Sequence, residues 1–167
     1  MDAAEKYDYP FTAFRFDVQL YVADPQSVGL TNPLCEALFA ECDGLEMTME
    51  PKTYKEGGNN LEQIQLPGPV TYGHLTLKRG MTNNIDLWTW FTAAAGGVAN
   101  ENQPNKRGMT AQGLVTMRDG AGAPTLLFEL FACLPIKIKG SALSAKDGQV
   151  ALEELQIAYR SLKIKKP

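Results

Sequence analysis

The chain has 167 residues, of which 44% are hydrophobic and 21% charged, with a formal net charge of −3. That length closes one core rather than two, and the composition is that of a globular domain, not of a disordered or disulfide-stapled chain. No run approaches the roughly eighteen apolar residues of a membrane span, and MDAAEKYDYPFTAF has neither the basic region nor the apolar core of a secretion signal, so assembly in the cytoplasm is expected.

In chain order, FTAFRFDVQLYVA alternates cleanly. Phe14, Phe16, Val18, Leu20 and Val22 share one face and Arg15, Asp17 and Gln19 the other, which is the pattern of a half-buried strand. A long connection follows, in which Asn32-Pro33 is expected to start a short helical turn burying Leu34, Leu38 and Phe39, and which ends at Asp43-Gly44. Leu45, Met47 and Met49 then resume the period of two, and LEQIQL alternates again after a break at Gly57-Gly58. Pro67-Gly68-Pro69 predicts a turn, and VTYGHLTLKRG another strand.

The period changes at NNIDLWTWFTAAAGG. Asn84 is placed to cap a helix, Asp86 sits in its positive first turn, and Ile85, Leu87, Trp88 and Phe91 form the apolar stripe, with Gly96-Gly97 at the end. Residues two apart on a helix face different ways, so Trp88 is assigned to the core and Trp90 to an interface. After the polar loop VANENQPNKRGMTAQ, a hairpin is expected across Asp119-Gly120, leading into a long strand apolar on both faces. VALEELQIAYRSLKIKK fits either period; its β-branched and aromatic residues favour a strand in which Leu155, Ile157 and Tyr159 alternate. About seven strands and one helix make a mainly β fold, an antiparallel barrel or sandwich with one flanking α-helix, in a single domain spanning 1–167.

Enzymatic chemistry finds little purchase. The single histidine, His74, lies in an alternating strand without an acidic partner for nucleophile activation. Cys35, Cys42 and Cys133 are odd in number, lack CxxC spacing and sit among apolar neighbours, as buried reduced thiols do. Glu153 and Glu154 point to opposite faces of a strand and match no calcium-loop spacing, so no metal or cofactor is expected. Gly57-Gly58 precedes a strand instead of a helix, which removes the phosphate-loop reading. Charge divides along the chain: residues 1–62 carry twelve acidic and four basic residues, and residues 63–167 seven acidic and twelve basic. Such a division suits a subunit with opposite poles that associates head to tail, and the dispersed basic residues argue against nucleic-acid binding.

YKEGGNN, LPGPVTYGHLTLKRG and LWTWF, in this order after an FxFxV-type strand and a turn at Cys42 to Leu45, resemble the tail-tube family of contractile phages and the inner-tube proteins of extracellular contractile injection systems. GLVTMRDGAGAP is similar to that family's hairpin, LFELFACLPIKIKGSALSA to its long strand and VALEELQIAY to its closing segment, so that the likeness covers residues 14–164. The resemblance implies hexameric rings that stack into a hollow tube within a sheath. Its partners would be the sheath protein, the baseplate and spike hub, the tail terminator, and DNA or protein cargo in the lumen. It also implies an inter-subunit loop at Tyr54, Lys55, Glu56, Gly57, Gly58 and Asn59, to which Lys78, Arg79 and Trp90 are added as interface candidates. Residues 1–12 are expected to form an amino-terminal arm, and 24–43 an enlarged loop. That enlargement leaves room for the main tube subunit, a second tube paralogue or a specialised baseplate-proximal ring or adaptor; a secreted ring-forming cargo carrier of a type VI-like system, which shares the tube architecture, is the separate alternative.

Overall fold

The computed structural model describes residues 15–34, 39–55, 57–58, 63–96, 108–143, 148 and 150–167. Eleven strands, one α-helix and one 3-10 turn occur among them. The expected amino-terminal arm, Leu38, Glu56 and Asn59 lie outside the described residues.

Seven strands form one antiparallel sheet. Its path runs β1 (Phe16–Val22), β8 (Ala111–Arg118), β9 (Pro124–Gly140), β10 (Leu152–Ala158), β7 (His74–Gly80) and β2 (Glu41–Asp43), with β11 (Ser161–Lys165) also on β9. The seventeen-residue β9 holds the sheet together, because Leu127 to Phe131 pair with β11 and Leu134 to Gly140 with β10. It bends at Ala132, a non-glycine residue at φ 51, where the register with β8 slips between Ala111 and Gly113. The sheet curls around a core but does not close, since β1 and β2 remain its two ends. The fold is therefore mainly β with one flanking helix, as the periodicities predict, and an open form of the expected barrel.

The core follows the period of two. Val18, Leu20 and Val22 of β1, Val115 of β8, Leu75 and Leu77 of β7, and Leu155 and Ile157 of β10 are buried together. Strand wins over helix in the ambiguous last segment because Glu153, Leu155, Ile157 and Tyr159 are buried at alternate positions. The helix α1 (Asp86–Ala94) closes this core with Leu87, Trp90 and Ala94. Asn84 caps it from one residue further out than a standard cap, its Oδ1 accepting the Asp86 N–H at 3.1 Å.

Residues 31–34 are not helical, and residues 35–38, on which the rest of the turn expected after Asn32-Pro33 falls, lie outside the described residues. The Asn32 side chain accepts from Val22 N–H at 2.9 Å and donates to its carbonyl at 2.8 Å, while Leu34, buried as expected together with Phe39, bridges to Leu20. The connection thereby covers part of the free edge of β1. A 3-10 turn lies within it at Gln26–Val28. One local expectation is corrected: Pro67-Gly68-Pro69 does not reverse the chain. It joins β5 (Ile64–Leu66) to β6 (Val70–Tyr72), and these pair in turn with β4 (Lys52–Tyr54) and β3 (Met47–Met49). Two prolines without N–H donors interrupt the ladder and leave a single two-part hairpin reversed near Gly57-Gly58.

Candidate inter-subunit surface

This hairpin, residues 46–72, leaves the main sheet as an arm. Met47 stands opposite Tyr72 and Met49 opposite Val70, so the first ribbon carries apolar side chains on one face and Thr48 with Thr71 on the other. In the second ribbon Tyr54 faces Ile64 and Lys52 faces Leu66, backed by Thr53 and Gln65. Met47, Met49, Tyr54, Ile64, Leu66 and Val70 are all 40% or more exposed. A two-stranded ribbon is marginal in water by itself, and a run of large apolar side chains on one is the mark of a contact surface.

The base of the arm, by contrast, is fixed. The Tyr159 hydroxyl donates to the Gly44 carbonyl at 2.8 Å, with the Glu46 carbonyl at 3.1 Å, and accepts from Glu46 N–H at 3.1 Å. Its ring packs on Tyr72 at 5.7 Å between centroids. Burial pushes the phenol above its usual pKa range. Gly44 is required at this junction, because it sits at φ +94 and a Cβ there would lie 1.9 Å from the His74 carbonyl oxygen.

Of the residues singled out by sequence, Tyr54 and Lys55 are exposed near the arm's far end and Gly57-Gly58 form its turn, with Gly58 at φ +99. Lys78 meets an acidic partner, but its own: Glu41 accepts its ammonium at 2.6 Å, and this bond raises the lysine pKa. Arg79 and Trp90 are corrected. Arg79 is 1% exposed and paired with the equally buried Glu153, because it shares the inward parity of Leu75 and Leu77. Trp90 is fully buried, its indole N–H donating to the Met109 carbonyl at 3.2 Å, whereas Trp88 is the half-buried tryptophan and donates to Glu153 at 2.8 Å. The sequence reading missed Met47, Met49 and Val70 as surface, since an alternating apolar strand ordinarily faces a core of its own chain.

No chemical centre competes with this surface among the described residues. No group of three His, Cys, Asp or Glu side chains there is placed to hold a metal. Burial pushes the Cys133 thiol up to about 12, and burial with the neighbouring Asp43 does the same for Cys42, so both are protonated and poor nucleophiles at neutral pH. His74 is exposed at the head of β7, opposite Ala158. No helix among the described residues is long and apolar enough to cross a membrane.

An open antiparallel sheet with an apolar arm is the architecture of a subunit built for assembly, and comparison with known families agrees. The profile of the T4-like virus tail tube protein gp19 matches residues 12–163. The chain belongs to this tail tube family. No curated protein sequence matches it. Among solved structures, this family member is similar to a chain of the anti-feeding prophage baseplate, with 24% identity and a TM-score of 0.76 over 95% of this chain and 97% of the other. It is also similar to a chain of the PVC sheath–tube complex, an extracellular contractile injection system, with 15% identity and a TM-score of 0.69 over 96% and 95%. Hcp1 from Salmonella typhimurium shares the fold more distantly, with 13% identity and a TM-score of 0.50 over 90% and 86%. The tail-tube fold implied by the resemblance is therefore the fold observed, and Hcp shares it.

Proposed function

We propose that this tail tube family member is a structural, non-enzymatic inner-tube subunit of a contractile phage tail or phage-tail-like injection particle. Six copies close into a ring, rings stack inside a sheath, and the lumen conducts DNA or protein cargo when the sheath contracts. The baseplate hub would meet one end of the stack and a terminator the other. Residues 1–167 act as one domain in this reading, with 1–12 as an arm and 24–43 as an enlarged loop. The observation that carries it is the pairing of an open sheet with an arm whose apolar face has no cover within its own chain. Tyr54, Lys55, Glu56, Gly57, Gly58 and Asn59 would then touch a neighbouring subunit.

Negative-stain electron microscopy with mass measurement in the same buffer tests the proposal. Sixfold rings or stacked tubes are expected. A particle that stays monomeric over the micromolar range would overturn ring formation by this chain alone and favour an adaptor recruited by a baseplate template.

A further inference from the structure

On the core face of the sheet, burial fades toward the turn between β8 and β9. Leu20, Gly113, Leu130 and Leu162 stand in register across β1, β8, β9 and β11, and the three leucines are buried. In the next row Val18 and Val115 are buried, but Phe128 is half-buried and Ile164 is 54% exposed. In the last row Phe16, Met117 and Leu126 are all half-buried. The parity never changes; the cover does. β9 pairs with β10 only from Leu134 onward, so the half of the sheet formed by β10 and β7 stops short of Leu126 and Phe128. Register therefore joins Phe16, Met117, Leu126, Phe128 and Ile164 into one apolar surface, open at its end.

We infer that residues 7–14 of the same chain, which lie outside the described residues, fold back over this surface and bring Phe11 onto Phe128 and Tyr9 onto Ile164. Four observations choose that occupant. The segment leads into the surface: β1 begins at Phe16, and Arg15 is fixed at that end, its carbonyl accepting the Arg118 N–H at 3.0 Å and its Nη1 donating to the Gly120 carbonyl at 2.9 Å. YDYPFTAF is also apolar enough, with Tyr7, Tyr9, Phe11 and Phe14 in one short run. Its reach suffices, since eight extended residues span about 26 Å and the three strand spacings from β1 to β11 total about 14 Å. Charge agrees as well: Asp2, Glu5 and Asp8 outnumber Lys6 before the aromatic residues, and Lys163, Lys165 and Lys166 are exposed at the end of β11. Tethering beside the surface gives the chain's own segment an effective concentration on the order of millimolar, against which a second copy must compete.

The test uses full-length chains in dilute solution. With Tyr9→Cys and Ile164→Cys in one chain, mild oxidation should give a monomer whose digest joins the peptides of residues 9 and 164, and neither single variant should give that product. The same link found only between chains would overturn the assignment and give the surface to a second copy. Absence of the link in either form would overturn the inference outright. A second measurement does not depend on disulfide geometry. Ile164→Cys should react with a bulky maleimide at least tenfold faster once Tyr9→Ser and Phe11→Ser are added, with the unsubstituted chain as the background for its native thiols. Equal rates would overturn the cover. Neither measurement requires ring formation, so this inference and the tube reading fail separately.

Discussion

The Arg79–Glu153 pair shows how one buried charge organises its surroundings. Glu153 accepts from the Arg79 guanidinium through one oxygen and from Trp88 through the other, and Arg79 Nη2 donates to the Asn84 carbonyl at 3.0 Å. β7, β10 and the start of α1 are thereby held to one another. Removing one partner leaves an uncompensated charge, so Glu153→Ala should cost about 3–5 kcal/mol in urea unfolding, and the double change Arg79→Met with Glu153→Leu much less. Equal losses in both would mean that packing volume, not charge, governs the site. Residue spacing already hinted at this arrangement, since Arg79 continues the Leu75, Leu77 period and Glu153 the Leu155, Ile157 period. What the sequence could not show is that strands 74 residues apart pair with those two side chains in register. The thiols give a second residue-scale expectation. Burial lifts Cys133 from an ordinary 9.0 to about 12, so the folded chain keeps a proton that the unfolded chain loses first. This stability is complete below 9.0 and is lost as pH rises toward about 12. The urea midpoint should accordingly fall between about pH 8.5 and 11, and Cys133→Ala should flatten that fall; an unchanged slope would assign the alkaline lability elsewhere.

Among the elements, the arm departs furthest from what periodicity alone suggests. Its alternating residues read as ordinary strands, and they are strands, but the side chains that alternate face solvent instead of their own core. Only the partner strand distinguishes the two cases, and here each arm strand pairs within the arm. The main sheet was legible because apolar residues recur at every second position in strands such as β1 and β7; the cover of β1 by Asn32 was not, because a side chain there substitutes for strand backbone. Rigidity of the arm depends on its root. Tyr159→Phe removes the hydroxyl held between Gly44 and Glu46 and should cost about 1–2 kcal/mol, with amide exchange accelerating over residues 46–72 more than in β8 and β9. Uniform acceleration would show that Tyr159 supports the core as a whole. Midway along the arm, Gly68 lies where a Cβ would stand 1.8 Å from the Glu50 carbonyl oxygen. Gly68→Val must therefore push the strands apart, and loss of assembly with an unchanged thermal midpoint is the expected result.

For the whole molecule, the question is whether charge or apolar surface drives association. The division of charge along the sequence suggested opposite poles, but the fold brings the two halves together. Asp17 pairs with Arg118 at 2.5 Å and Glu41 with Lys78 at 2.6 Å, each joining an acidic residue of the first part to a basic residue of the second. Across the sheet Lys78 also stands in register with Glu154, and Glu154 with Lys139, so charges of alternating sign neutralise one another over that face. These exposed pairs are individually weak, yet they leave less unbalanced field for steering one copy toward another than the sequence implies. The exposed apolar side chains of the arm have no such internal compensation. Association should therefore survive about 0.5 M sodium chloride, where charge attraction is screened beyond a few ångströms, and should strengthen in sulfate, which favours burial of apolar surface. Sedimentation velocity across the two salts decides between them. A mass distribution that collapses to the monomer in chloride would assign assembly to the charged faces, whereas one that holds in chloride and grows in sulfate assigns it to apolar surface such as that of the arm.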